Sequence, residues 1–295
     1  MTDFDVIIIG AGPAGATAGL FCKRFGLDYL ILDNPEQPSQ MTLATEIENY
    51  PAFERISGTE LLKKMKNKLN IKEEKVVNLE IKKDKKIVTT ERNQDEAKTV
   101  IVATGASHRK AGIKGEAEFL GKGVSYCASC DGMFFKGKDV IVWGGGDSAL
   151  SSAIYLQNIG CKVTIVHRRQ QLRAAKALVD KAKKLGIKFA LGRTIKQISG
   201  KKLVERIIFD NNEQTKCSAV FICIGEVPVV ELAKKAGVQT DENGFIIVDA
   251  YQQTNIDGVF AAGDVTITPL RQIITAAADG AKAAFAVYRY LEERK

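Results

Sequence analysis

The sequence predicts an α/β fold built from two copies of one doubly wound unit, the second inserted into the first. Two observations carry this expectation. A near-continuous β-branched run from Phe4 to Ile9 leads into the turn Gly10-Ala11-Gly12-Pro13-Ala14-Gly15, then a helical stretch and another apolar strand. The same order returns at Lys138 to Trp143, followed by Gly144-Gly145-Gly146-Asp147-Ser148-Ala149. Strands that are apolar along their whole length are buried on both faces, as in parallel sheets. A strand, a G-x-G-x-x-G/A turn, a helix and a further strand make up the Rossmann arrangement.

Each element has its own signal. Ala16 to Phe25 reads as a helix closed by Gly26, whose lack of a Cβ suits a C-cap. Leu27 to Leu32 reads as the next strand, ending at the acidic Asp33. Thr99 to Ala103 is a buried strand that ends in Thr104-Gly105, and the polar stretch from Ala106 to Gly115 reads as a linker. In the second copy, Leu150 to Asn158 is the helix and Cys161 to Val166 the following strand. Late in the chain, Gly258 to Asp264 is a strand running into a turn, and an apolar helix spans about Gln272 to Leu291. The expected first domain is therefore discontinuous, residues 1–112 plus 245–295, with residues 113–244 inserted.

Bulk properties narrow the function. A chain of 295 residues accommodates two ordinary domains, and 45% hydrophobic with 26% charged residues is a soluble balance. No apolar run approaches the roughly 20 residues that span a bilayer, so no membrane role is expected. The start, Met1-Thr2-Asp3-Phe4-Asp5, has no basic region ahead of an apolar stretch, so the expected address is cytoplasmic. The net charge is +8, but the lysines are scattered apart from Lys82-Lys83-Asp84-Lys85-Lys86, and aromatics are only 7%. No nucleic-acid partner is expected from that pattern. Of six cysteines, Cys22, Cys161 and Cys223 lie in apolar stretches and only Cys127 and Cys130 have motif spacing. His108 and His167 complete no metal set with them, so no metal is expected.

The first glycine turn is set up for a dinucleotide. Gly10 permits the tight turn, Gly12 lets the backbone approach a pyrophosphate, and Gly15 lets the helix pack on the strand. Pro13 and Ala14 complete the turn, and Asp33 can accept a hydrogen bond from a ribose hydroxyl. In the second turn, Gly144, Gly146 and Ala149 match the pattern, with Asp147 and Ser148 between them. Its following strand ends not in an acid but in His167-Arg168-Arg169, with Arg173 beyond. Arginines bind a 2′-phosphate that a carboxylate would repel, so this site is expected to take NADPH. A hydride is not readily delivered straight into a disulfide. A flavin accepts a hydride and passes two electrons on, which makes FAD the expected occupant of the first site. Cys127 and Cys130 are close enough in sequence to form a redox-active disulfide, with Asp131 beside them as a candidate proton donor and acceptor.

Taken together, these residues resemble the low-molecular-weight thioredoxin reductase family over nearly the whole chain. The likeness includes Gly10 to Gly15, Glu46 to Pro51, Ala103-Thr104-Gly105, Cys127 to Gly132, Gly144 to Ala149, His167 to Arg169 with Arg173, Ala262 to Val265, and Arg271-Gln272. The resemblance implies that Asp264 binds the FAD ribitol, that Gln40, Asn49, Arg271 and Gln272 lie around the flavin, and that Thr104, Gly105 and Gly263 are also cofactor-binding. It implies that Cys130 faces the flavin, that Cys127 attacks the substrate disulfide and that Asp131 is the acid. It also implies a homodimer and thioredoxin or a thioredoxin-like partner. The family usually has two glycines before the flavin-site glutamine; here they are Pro38-Ser39, so that loop is expected to be remodelled. The alternative is a related flavin disulfide reductase with another donor or a glutaredoxin-like or peroxide-system acceptor. Ferredoxin-type relatives lack the dithiol, and peroxide-system versions carry an extra domain ahead of the first glycine turn.

Overall fold

A computed structural model describes residues 3–44 and 47–294, with the side chain of Leu43 also outside the described set. In chain order, strand β1 (Asp3–Ile9) leads into helix α1 (Pro13–Arg24), β2 (Tyr29–Asp33), α2 (Gly58–Met65), β3 (Ile71–Glu73), β4 (Val76–Ile81), β5 (Lys86–Thr90) and β6 (Gln94–Val102). The short β7 (Ala106–His108) follows, inside the stretch expected to be a plain linker. Next come β8 (Val124–Ser125), the single-turn α3 (Ala128–Asp131), β9 (Asp139–Trp143), α4 (Asp147–Asn158), β10 (Lys162–His167), α5 (Lys176–Lys184) and β11 (Lys188–Leu191). Strands β12 (Ile195–Gly200), β13 (Val204–Phe209), β14 (Gln214–Lys216), β15 (Ala219–Ile222) and β16 (Glu226–Pro228) precede α6 (Glu231–Lys235), β17 (Val259–Ala261) and α7 (Ile273–Glu292).

The chain divides into two compact units, Met1–Ser107 with Val227–Lys295, and His108–Glu226. These limits differ from the expected breaks at 112 and 244. The physical reason is the segment after β16. Val230, Ala233 and Val238 bury themselves in the same apolar cluster as Ile7, Ile9 and Val102 of the first unit. The hydroxyl of Thr104 also donates to the Val229 carbonyl at 2.6 Å, and the Val229 amide donates to the Gly105 carbonyl at 3.0 Å.

In the first unit the sheet runs β3-β2-β1-β6-β5-β4, with β17 also on β6. Its centre is parallel, and the β4 and β5 ladders are antiparallel. Strand β1 shows why both faces must be apolar. Val6 and Ile8 enter the core beneath α1 and α7, whereas Ile7 and Ile9 enter the core on the other face. In the second unit the sheet β11-β10-β9-β15-β8 is parallel throughout, beside an antiparallel β12-β13-β14 meander. Strand β9 repeats the logic of β1, with Val140 and Val142 on one face and Ile141 and Trp143 on the other. Each central strand therefore ends at a glycine turn that opens a helix, where α/β sheets place their ligands.

Candidate functional site

The first turn is shaped by its glycines. Gly10 has φ +104, a left-handed angle that suits glycine, and a side chain there would strike the Ala103 carbonyl. A side chain at Gly15 would run into the Gly10 carbonyl. Gly12 differs, because a Cβ there would meet only the Ser39 hydroxyl, at 3.4 Å. Gly12 also caps α1, and Pro13 takes the first helical position, where its missing N–H costs nothing. Ala14 packs beneath: a Cβ on Gly263 (φ +79) would lie 2.9 Å from that of Ala14.

Asp33 ends β2 beside this turn, and its Oδ1 accepts the Ala11 amide at 3.2 Å. Its Oδ2 is ion-paired with Lys66 Nζ at 2.6 Å, a partner the sequence reading missed. Lys66 lies just past the end of α2, and only the fold brings it to Asp33. Asn49 and Gln272 meet through a hydrogen bond from Asn49 Nδ2 to Gln272 Oε1 at 2.9 Å, at the head of α7. Arg271 lies with its guanidinium 3.9 Å from the Phe245 ring centre, and its Nε donates to the Asp264 carbonyl at 3.4 Å. Gln40 opens a single 3-10 turn, Gln40–Leu43, directly after Ser39. The Pro38-Ser39 departure therefore lies over the Gly12 backbone, through the Ser39 hydroxyl. Glu46, part of the Glu46 to Pro51 stretch, lies outside the described residues.

The second turn has the same plan with different neighbours. A side chain at Gly144 would strike the Cys223 carbonyl, and Ala149 is fully buried on the first turn of α4. A Cβ at Gly146 would meet nothing within 4 Å. Gly145 is closed off instead, since a Cβ there would lie 2.5 Å from Nδ1 and Cε1 of His167. The His167 ring is buried against this glycine, and its Nε2 has no partner among the described residues. Burial, then the charges of Arg173, Arg168 and Arg169, push its pKa down. The three arginines are exposed. Their loop is nevertheless fastened: the Gly145 carbonyl accepts the amides of Arg173 at 2.7 Å and Ala174 at 3.1 Å. Asp147 Oδ1 accepts the Ala175 amide at 2.7 Å. Ser148 is exposed next to it.

Gly146 thus borders open space and Gly12 faces only the Ser39 hydroxyl, each next to a helix start whose first amides have no partner within the helix. That combination fits the phosphates of a dinucleotide at each turn. The carboxylate at the first turn suits a ribose hydroxyl, and the arginines at the second suit an added phosphate.

Cys127 and Cys130 form a disulfide, with Cα atoms 5.3 Å apart. Cys127 caps α3, and its Sγ accepts the Cys130 amide at 3.2 Å. The Ser129 hydroxyl lies 3.4 Å from Cys127 Sγ. Buried Ser125 braces the approach, its Oγ accepting the Cys127 amide at 3.0 Å. Asp131 follows at the end of α3; burial raises its pKa, and a hydrogen bond with Ser125 opposes the rise. Tyr126 donates to the buried Glu116 at 2.7 Å and stacks on His108 at 4.9 Å. Met133 and Phe134, exposed at 53% and 54%, flank the disulfide segment. The sequence reading passed over them, although two consecutive exposed apolar residues directly after a redox motif are a usable signal. The other four cysteines are free, and burial raises the pKa of each, to about 12 for Cys22 and Cys217. Cys217, in a polar stretch, is therefore as inert as its apolar counterparts.

Residues 4–280 match the family model described as pyridine nucleotide-disulphide oxidoreductase. The chain belongs to that family. It is 43% identical to the thioredoxin reductase of Listeria monocytogenes over 306 aligned residues, covering 99% of this chain and 95% of that protein. It is 41% identical to the thioredoxin reductase of Bacillus subtilis, over 98% of this chain and 95% of the relative. The crystal structure of thioredoxin reductase from Streptococcus pyogenes superposes with a TM-score of 0.91 at 42% identity, covering 99% of both chains. Among pyridine nucleotide-disulphide oxidoreductases this chain thus stands with enzymes named for thioredoxin, at full length and with their fold.

Proposed function

We propose that this chain is an NADPH-dependent thioredoxin-disulfide reductase. The protein is an oxidoreductase that moves two electrons from NADPH through FAD and the Cys127–Cys130 disulfide to a thioredoxin-like protein. One observation carries this reading: the Cys127–Cys130 disulfide lies in the same compact unit as the arginine-flanked turn, while the other unit holds a second dinucleotide turn with a carboxylate.

Gly10, Gly12 and Gly15, Pro13 and Ala14 with Asp33, Gly263 and Asp264 would hold FAD, with Asn49, Gln272, Gln40, Thr104, Gly105 and Arg271 toward its flavin end. Gly144, Gly146, Ala149 and Ser148 would hold NADPH, with His167, Arg168, Arg169 and Arg173 toward its 2′-phosphate; Asp147, expected among the cofactor-binding residues, is bound to the Ala175 amide in this structure. FAD, when bound, supplies a hydride acceptor that can hand two electrons to a disulfide. Those electrons with two protons convert Cys127–Cys130 to a dithiol. Burial raises the pKa of Asp131, which favours a proton on the carboxyl that directly follows Cys130 in the chain. The Cys130 amide and the start of α3 favour a thiolate at Cys127. That thiolate attacks the partner's disulfide and one partner sulfur leaves as a thiol; Cys130 then attacks the Cys127 sulfur of the mixed disulfide, the partner's second sulfur leaves as a thiol, and the Cys127–Cys130 disulfide re-forms. Met133 and Phe134 supply an apolar rim for a protein partner.

A homodimer fits the outer face of α1 and α7. Leu20 and Phe285 are exposed at 45% and 44% there, beside Phe25 stacked on Tyr288 at 5.1 Å. The free cysteines suit a reducing, cytoplasmic compartment. No described helix is long and apolar enough to cross a membrane.

The test is an anaerobic NADPH titration of the flavin-loaded protein, followed by flavin absorbance. Full bleaching after about two equivalents per subunit means that flavin and disulfide both fill. Cys130→Ser should bleach after about one equivalent and lose thioredoxin reduction. Turnover with thioredoxin retained by that variant would overturn the assignment.

A further inference from the structure

An exposed arginine on an untethered loop discriminates poorly, because holding its long side chain in place costs conformational entropy. Arg168, Arg169 and Arg173 are all exposed, yet the loop that carries them is tied to the glycine turn at three points. Two ties use the Gly145 carbonyl, which any substitution retains. The third is made by a side chain: Asp147 Oδ1 accepts the Ala175 amide at 2.7 Å. Asp147 is in the first turn of α4, and Ala175 caps α5, which has no side-chain cap of its own. One carboxylate therefore joins the helix that opens the nucleotide turn to the segment that ends the arginine loop.

We infer that Asp147 is a positioning residue for nucleotide specificity, holding the arginine loop against the glycine turn so that 2′-phosphorylated nucleotides are preferred. Asp147 acts through the backbone of Ala175 and does not touch the nucleotide. The inference rests on the reading of Arg168, Arg169 and Arg173 as the 2′-phosphate group.

Charge and position make opposite demands here. A carboxylate near a phosphate site opposes anion binding, so removing Asp147 for its charge alone would tighten NADP+. Removing it as an anchor would loosen NADP+ and leave NAD+ nearly unchanged, because NAD+ has no 2′-phosphate for the loop to find. Asp147→Asn separates the two effects, since its amide oxygen can still accept from Ala175 while the charge is gone. Ala175→Pro cuts the same tie from the donor side and leaves the charge in place. Its φ of −54 already lies within the range that proline allows.

The experiment is calorimetric titration of the full-length flavin-loaded protein and its variants with NADP+ and with NAD+. Asp147→Ala and Ala175→Pro should each weaken NADP+ about tenfold with little change in NAD+, and Asp147→Asn should bind NADP+ at least as well as the unsubstituted protein. NADP+ bound equally or more tightly by Asp147→Ala would overturn the inference. So would equal losses for both nucleotides, because Asp147 would then serve the shared pyrophosphate turn. Should Asp147→Ala fold poorly, Ala175→Pro with Asp147→Asn still decides the matter by the same criteria. A separate outcome, no NADP+ preference in the unsubstituted protein, would remove the arginine reading itself and the inference with it.

Discussion

Substituting two adjacent glycines of the second turn should produce opposite failures. At Gly145 a methyl group would lie 2.5 Å from Nδ1 and Cε1 and 2.6 Å from Cγ of His167. Ordinary contact begins near ~3.4 Å, so the ring has to retreat by about 0.9 Å. It has little room to do so: His167 is only 8% exposed, and its carbonyl accepts the Arg193 amide at 3.1 Å. Overpacking of this kind costs about 1–3 kcal/mol. Taking about 2 kcal/mol, the thermal transition of the His108–Glu226 unit should fall by roughly 6–10 °C. At Gly146 a methyl group meets nothing within 4 Å, and no left-handed angle demands glycine there. Gly146→Ala should therefore melt like the unsubstituted protein but lose at least about tenfold in NADP+ affinity, because the methyl fills the space a pyrophosphate needs. Scanning calorimetry and nucleotide titration of both variants separate the outcomes. A Gly145→Ala protein of unchanged stability, or a Gly146→Ala protein with unchanged NADP+ affinity, would refute the packing argument.

Two further predictions concern the other elements of the site. In Gly280→Ala a methyl group would run into the Ala14 carbonyl, so α1 and α7 must separate, at about 2–3 kcal/mol; the expected sign is flavin fluorescence released at a lower temperature. The raised pKa of Asp131 means that its neutral form is favoured in the folded state, so its stabilising contribution is present at low pH and is lost as pH rises through the raised value. Thioredoxin reduction should accordingly show a descending limb above the ordinary carboxylate range in pre-steady-state pH profiles. Asp131→Asn should abolish that limb, and Ser125→Ala, which removes the opposing hydrogen bond, should move it to higher pH.

The features legible in the sequence are those written in consecutive residues. The Phe4 to Ile9 run, the two glycine turns and the Cys127–Cys130 spacing each determine a local conformation, and the fold places them where local chemistry expects. What the sequence does not reveal depends on distant pairings. Nothing near Asp33 announces Lys66, and nothing in Val230, Ala233 and Val238 says which of two apolar cores they will join, which is why the inserted unit ends at Glu226 and not at 244. Strands β3 and β4 and the β12 to β14 meander escaped for a related reason: they mix buried, half-buried and exposed positions, and β5, though almost wholly buried, begins with Lys86 and ends in two threonines, so none has the continuous apolar signature of a central parallel strand.

The two turns show how one backbone solution acquires two chemistries. Each has a glycine pressed against the end of a crossing strand, at Ala103 in the first and Cys223 in the second, and each keeps its middle glycine clear of backbone, Gly146 beside open space and Gly12 facing only the Ser39 hydroxyl. The backbone thus supplies the same partly positive helix start at both. The difference is made by the segment that follows the next strand. In the first, Asp33 turns its carboxylate back onto the Ala11 amide, so the turn carries a built-in acceptor and its charge is met by Lys66. In the second, the chain runs on past the strand end, and the Gly145 carbonyl and Asp147 hold it down by its amides. The acid at the second turn is consumed in holding a loop, and the charge presented outward is that of the arginines. A dinucleotide with free ribose hydroxyls suits the first arrangement and one with a 2′-phosphate suits the second, so a single chain can bind a donor and an acceptor without exchanging them.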